Sequence, residues 1–262
     1  MKITRQHVEG DRRGSKNGYE IELPNGTIIR GSWKTGDKII VKNGGVINKF
    51  DKAQINKNND YLKDLRKKAL EDALATFSKC EMLQHEYLLK KGLDSFVYVF
   101  DDVIYIPIYD FRKPTKIISF QKINKNGDKF FTKYLSVKYG FKAICIDKLP
   151  HHYDKIYMCE GFATALTIKK LTAEVNGVNV LCCFSAENLK KVAEYMYKAK
   201  LIDDSKIIIA ADNDATGLKY ANEAAETTGY KVIMPPWINS ISDFNDLYQH
   251  DEDLVKKILN NA

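Results

Sequence analysis

The sequence predicts an α/β fold in its C-terminal half, preceded by a mixed α+β region and a small β element. Three observations carry this. Residues 155–234 alternate apolar strand-like runs with amphipathic helical segments. Such runs, apolar almost throughout, are the mark of parallel strands covered on both faces. Residues 96–146 instead read as consecutive strands joined by turns, "NKNGDK" among them. The first 40 residues alternate polar and β-forming residues between Asn-Gly and Gly-rich turns.

In chain order, the N-terminal stretch "HVEGDRRGSKNGYEIELPNGTIIRGSWKTG" is expected to form hairpins. The polar, Asn- and Gly-rich segment over about 43–58 is expected to be a linker. Leu62, Leu65, Ala69, Ala73 and Phe77 share one face of a helix over about 59–80, and "EMLQHEYLLKKG" predicts a second, short helix stopped at Gly92. "FVYVF", "VIYIPIYD", "KIISFQKI" and "KFFTKYLSV" are expected strands. Then "KIYMCEG", "VNVLCCFS", "KIIIAAD" and "YKVIMPP" are strands separated by helices at "FATALTIKKLT", "AENLKKVAEYMYKAK" and "TGLKYANEAAETTG". The resulting division is 1–56, 57–150 and 151–262. No internal repeat or low-complexity segment is evident.

Charge is divided the same way. The chain is +7 overall, but residues 1–150 are net +11 and residues 151–262 net −4. One half suits a polyanion and the other can hold cations, although a lysine-rich solvated surface would give the first half the same balance. No apolar run nears the ~20 residues of a bilayer span and no signal-peptide core opens the chain, so the expectation is a cytoplasmic protein without membrane partners. The five cysteines (80, 145, 159, 182 and 183) form no CxxC pair. No zinc site is expected, and the cysteines in strand-like runs read as buried thiols.

The acidic residues carry the chemistry. In an open parallel sheet, ligands collect beyond the carboxyl ends of the strands. Glu160 stands at that end of one strand, and Asp212 and Asp214 at that end of another. With period-two alternation, Asp212 and Asp214 project the same way. Carboxylates so gathered repel one another unless a cation intervenes, and hard oxygen ligands suit Mg²⁺ or Mn²⁺. "SDFNDLY" adds Asp243, Asn245 and Asp246, either as an ordinary helix start or as an extension of the site. A calcium loop competes, because Asp212, Asp214, Thr216, Gly217 and Glu223 occupy positions one, three, five, six and twelve of an EF-hand. Against it, "KIIIAA" has no helical polar face and the usually apolar eighth position is Lys219.

In the basic block, Lys113, Lys116, Lys122, Lys125, Lys129, Lys133, Lys138 and Lys142 interleave with Phe111, Phe120, Phe130, Phe131, Tyr134 and Tyr139. That pattern suits a surface that tracks phosphates and stacks bases. A half-buried sheet with aromatics inside and lysines outside gives the same pattern.

"EGFATAL" at a strand-to-helix turn, "ADND" followed by a glycine, and "DFND", in that order, resemble the Toprim domain, a Rossmann-like, mostly parallel sheet with helices on both faces. The form they most resemble is that of plasmid- and phage-encoded DNA primases. "FSAENL", "HEYLLKKGL", "IPIYD…IISFQKI…GDKFF", "KYLS" and "VEGDRRGSKNGY" extend the likeness over nearly the whole chain. The resemblance implies a primase making short RNA primers on single-stranded DNA from ribonucleoside triphosphates. It implies an acid/base role for Glu160 and metal binding by Asp212 and Asp214, with Glu160, Asp243 and Asp246 also near the metals. Gly161, Gly217 and Asn245 would support the site. Template or nucleotide would be held by Lys122 and Lys133, together with Lys116, Lys129, Lys138 and Lys142. It further implies a helicase partner, in trans or as a domain outside this chain, since no GxxxxGK[ST] loop is present. Two alternatives remain open: a Toprim metal-dependent nuclease, and a non-catalytic single-strand-binding accessory protein.

Overall fold

The computed structural model describes residues 2–8, 16–22, 28–32, 38–41, 49–144, 154–200, 203–238 and 241–262. The expected boundary near residue 150, Cys145 and most of the N-terminal turns lie outside them. Two compact units are present: residues 1–75 with 132–136, and residues 76–131 with 137–262.

The first unit holds an antiparallel meander of β1 (Lys2–Gln6), β2 (Gly18–Glu22), β3 (Ile28–Ser32) and β4 (Lys38–Val41). Its core is slight: Ile21 and Ile29 face each other across β2 and β3, with Tyr19 beside them. Glu20 and Arg30, directly opposite on the same strands, form a 2.7 Å ion pair. Helix α1 runs from Lys49 to Phe77. It begins within the stretch expected to be a linker, because polar sequence without an apolar stripe gives periodicity nothing to detect.

The second unit is built on a ten-stranded sheet. Its strands are β5 (Glu81–Leu83), β6 (Val97–Phe100), β7 (Val103–Asp110), β8 (Lys113–Asn124), β9 (Lys129–Phe131), β10 (Gly140–Ala143), β11 (Lys155–Cys159), β12 (Val178–Cys182), β13 (Ile207–Ala210) and β14 (Lys231–Ile233). The order is β14-β13-β11-β12-β10-β7-β6-β5, with β8 also pairing β7 and β9 pairing β8. Strands β11 to β14 are mutually parallel, and every other pairing is antiparallel.

Helices α3 (Phe162–Leu171), α6 (Phe244–His250) and α7 (Glu252–Asn260) cover one face of the parallel part. On the other lie α4 (Ala186–Ala199) and α5 (Ala215–Thr228). Strands β12 and β13 are buried at every position, as their near-continuous apolar sequence requires. Tyr157 reaches through the first face to donate its hydroxyl to the Leu259 carbonyl at 2.9 Å, anchoring the C-terminal helix.

Three local expectations are corrected. "EMLQHEYLLKKG" is not one helix: Glu81–Leu83 is an edge strand and only α2 (Glu86–Lys90) is helical. All three residues of that strand are exposed, so no alternation betrays it, and the N-cap is His85, whose ring accepts from Tyr87 N–H at 3.2 Å. "KFFTKYLSV" is a strand only over 129–131. Gly140–Ala143, unforeseen, joins β7 to β12 and makes the basic and acidic stretches one sheet. Among the described residues no helix is long and apolar enough to cross a membrane.

Candidate active site

Strand β11 ends at Cys159, and Glu160 follows at a bend before α3. The Glu160 carbonyl accepts Phe184 N–H at 2.8 Å and the Cys182 thiol at 3.4 Å, which fixes the backbone that carries the carboxylate. Gly161 is the N-cap of α3, in extended conformation. A Cβ there would stand 3.2 Å from Thr164 Oγ1, so the first turn of α3 packs tightly over this position.

Strand β13 delivers the second acidic group. After Ala210 and Ala211 come Asp212, half-buried, Asn213, buried, and Asp214, exposed. Asn213 turns away from its neighbours: its side-chain amide donates to the Pro235 carbonyl at 3.0 Å and its N–H to the Ser242 carbonyl at 2.6 Å. Asp214 caps α5, with Oδ1 accepting from Thr216 N–H at 2.9 Å and Gly217 N–H at 2.7 Å. An extended run into a helix is not a helix–loop–helix, and the EF-hand reading of this segment fails on strand β13. Gly217 is required by proximity, since a Cβ would lie 2.3 Å from the Asp212 carbonyl oxygen.

The third group opens α6. Asp243 caps the helix and accepts from Asn245 and Asp246 N–H, both at 2.8 Å. Asn245 is fully buried and donates to the Lys91 carbonyl and to Thr167 Oγ1, each at 2.9 Å, tying α6 to α2 and α3. Asp246 is engaged differently from the other acids. Its Oδ1 is 3.1 Å from Lys91 Nζ, and Ser242 donates to its Oδ2 at 3.3 Å.

These acids share one electrostatic neighbourhood. Burial raises Asp212 to about 8, and the Glu160, Asp243 and Asp214 carboxylates add to the shift while Lys129 opposes it. Asp243 is also raised, first by burial and then by Asp246, against its own backbone hydrogen bonds and Lys91. Asp212 Oδ1 is buried with no hydrogen-bond partner. Glu160, Asp212 and Gly217 help line a recess of about 10 Å³, roughly one water in size. Among the described residues, no three or more His, Cys, Asp or Glu side chains, those of this acidic crescent included, stand together closely enough to hold a metal ion. An orphaned, buried carboxylate oxygen facing further carboxylates fits a hard divalent cation whose remaining ligands are water and phosphate. The neighbouring thiols do not compete, for burial holds Cys159 and Cys183 protonated and pushes Cys182 up to about 12.

The five lysines of the second unit are spread over both faces of its sheet. Lys129 on β9 is close enough to act on Asp212 and Cys182. Pairing of Ile123 with Lys129 and Gln121 with Phe131 sets both β9 side chains on the face of β8 that bears Ile123, and Phe131 meets Phe184 edge-on at 6.4 Å. Lys122 is on the opposite face, 5.1 Å from the Tyr105 ring centre. Lys142, half-buried and lowered by that burial, lies 5.6 Å from the Tyr109 ring. Lys138 is 5.6 Å from the Tyr139 ring, and Lys116 is exposed on β8. Lys133 belongs to the first unit, with its ammonium 4.8 Å from the Tyr134 ring.

Sequence reasoning missed Asn213, Lys91 and Trp237. The asparagine stood in view between two aspartates, and a polar residue there that must point away from both is a legible sign of a tether. Trp237, 79% exposed, rides on the loop that Asn213 holds at Pro235.

Residues 155–252 match the Toprim domain family. The chain is also similar to the primase fragment of the bacteriophage T7 primase-helicase protein, at 20% identity over 66% of this chain and 68% of that one, with a TM-score of 0.42. A second similar structure is that of the T7 lagging-strand DNA polymerase interacting with primase domains bound to an RNA/DNA hybrid and dTTP. There the identity is 20%, over 66% of this chain and 85% of that one, with a TM-score of 0.41. Both are loose overlaps of fold. With a parallel α/β layer, acids at its strand ends and the family's match to this segment, residues 155–252 are a Toprim domain.

Proposed function

We propose that this chain is a DNA-dependent primase core that joins ribonucleotides on single-stranded DNA. One observation carries the reading: Asp212, with its unpartnered buried Oδ1, faces Glu160, Asp214 and Asp243 at the carboxyl end of the parallel sheet. Toprim domains generally bind divalent metals. Here Asp212 and Asp214 would hold Mg²⁺ or Mn²⁺, with Glu160 and Asp243 completing the acidic crescent. When bound, the ions supply Lewis acidity at the reacting phosphate and neutralise the leaving pyrophosphate.

The chain's own residues do the rest. Glu160, on a backbone pinned by Phe184, would take the proton of the attacking hydroxyl. Asp214 Oδ1 is spent on capping α5, which leaves its other oxygen for the metal. Asp246, paired with Lys91, positions α6 and Asp243 rather than ligating. Lys129 supplies positive charge beside the crescent, and Lys116, Lys122, Lys133, Lys138 and Lys142 hold template strand and triphosphate. A replicative helicase, in trans or on a neighbouring domain, would present the template.

Incubation with a single-stranded template, labelled ribonucleotides and Mg²⁺ or Mn²⁺ tests this. Metal-dependent oligomers should form and Asp212→Ala should abolish them. Unchanged synthesis by that variant would end the assignment. Degradation of DNA without added nucleotides would assign the same acids to hydrolysis.

A further inference from the structure

We infer an anion site beside the acidic crescent that takes a phosphate group. It is a pocket of about 390 Å³ lined by Tyr87, Lys90, Lys91, Lys125, Asn126 and Gln249. That volume is within the usual range of ligand pockets. The lining is all donors or amides: three ammoniums, a phenol and two carboxamides, with no carboxylate among them. Burial, helped by Asp243, Asp246 and Cys182, pushes the Tyr87 phenol up to about 12, so it stays a neutral hydroxyl that can donate.

Three elements build the walls, and each is fixed. Lys91, at the C-cap of α2, is held through its side chain by Asp246 at 3.1 Å and through its carbonyl by Asn245 at 2.9 Å. The β8–β9 turn is set by Asn124, whose Oδ1 accepts from Asn126 N–H at 3.0 Å and Asp128 N–H at 2.9 Å. Gly127 in that turn has φ of +87°, and a Cβ would stand 3.2 Å from the Tyr87 ring, so the turn closes directly on the pocket floor. Gln249 on α6 is steadied by Asn245 Oδ1 at 3.1 Å. Walls ordered beforehand lose little entropy on capturing an anion.

Two carboxylates stand behind the lining. Asp246 is committed to Lys91. Glu86 pairs with Lys90 at 2.6 Å, and Lys125 also acts on it. Both rim lysines therefore answer to one exposed acid that an arriving phosphate can replace. Lysine, a point charge on a flexible stem, suits such exchange. The phosphate has two sources, a phosphodiester of a single strand or the free phosphates of a nucleotide. Neither requires polymerisation, so the inference stands apart from the primase reading.

The test is binding in EDTA, where the acidic crescent holds no metal. The probes are a labelled oligothymidylate without terminal phosphates and inorganic triphosphate. Lys90→Gln with Lys125→Gln should weaken binding about tenfold. For the strand, it should also lower the salt slope by about 1.4, two contacts' worth. A charge-matched control, Lys198→Gln with Lys256→Gln, should change neither. Glu86→Gln should tighten binding, and by more than a charge-matched Glu252→Gln control. An effect on the oligonucleotide assigns backbone phosphates, and an effect on triphosphate alone assigns the free ligand. Wild-type binding of both probes by the double variant, or no tightening by Glu86→Gln, overturns the site. Loss of synthesis in Asp212→Ala with this binding intact would leave it standing.

Discussion

The acidic edge and the basic wing belong to one sheet but hold their charges by opposite means. At the ends of β11 and β13 and the start of α6, carboxylates are fixed by backbone tethers and helix caps and repel one another, with Glu160, Asp212 and Asp243 half-buried. Along the half-buried β8 and the exposed β9 the cations stand at the surface, with Lys122 laid over an aromatic ring and the two β9 neighbours of Phe130 turned to the other face. The first is a preorganised site that stores electrostatic cost, while the second is an adaptable surface that stores almost none. Chemistry needs the former and a strand of variable sequence needs the latter.

The comparison breaks most sharply at Asp212. Asp212→Ala should cut metal-dependent synthesis about a thousandfold, as loss of a metal ligand worth several kcal/mol implies, while leaving single-strand binding within twofold. Equal losses in both assays would show that the two regions are not separable.

Next comes Gly217→Ala, whose methyl would press on the Asp212 carbonyl oxygen at 2.3 Å. Overpacking of this kind costs about 1–3 kcal/mol. A lower melting temperature and reduced synthesis are expected together, and an unperturbed melt would show that α5 yields more easily than its packing implies.

Lys129→Gln sharpens the contrast, because this cation acts on Asp212. We expect roughly a tenfold rise in KM for nucleotide, with a smaller change for Lys116→Gln. The reverse order would move the nucleotide to the outer face.

Stability against pH separates the regions again. Asp212 goes from an unfolded value near ~3.9 to about 8 in the fold. Between those values the metal-free native state keeps a proton that the unfolded chain has released. Stability is therefore full below about pH 4 and declines as pH rises through 8. Asp212→Asn should flatten that decline in EDTA, as read by melting temperature against pH, and parallel curves for the two proteins would refute it. The smallest effect is expected for Trp237→Ala, about 1 kcal/mol or fivefold in single-strand affinity, the low end for a stacked base. No change would make the exposed indole a bystander.

The parallel half was legible because its strands are buried on both faces and so are written as unbroken apolar runs. Glu160 and Asp212 were legible for a related reason: a carboxylate ending such a run serves no need of the strand, whereas Asp214 also caps α5. Strand β5 was illegible because an exposed three-residue edge needs no pattern. Strand β10 has pairing partners on both sides, but only four residues in which to show it. The Lys91–Asp246 pair joins residues 155 apart in sequence, and nothing local to either announces the other. Asp243 stood between, its N-cap role readable from "SDFND" but its burial set by distant α2 and α3.

Strand β10 has one more effect. By bonding β7 on one side and β12 on the other, it joins the lysine-bearing strands beyond β7 and the carboxylate-bearing strands beyond β12 into one sheet. The gap across which a substrate must reach is then a ruler marked in strand spacings of about 4.8 Å, and a jaw-like opening across β10 would have to tear hydrogen bonds to change it.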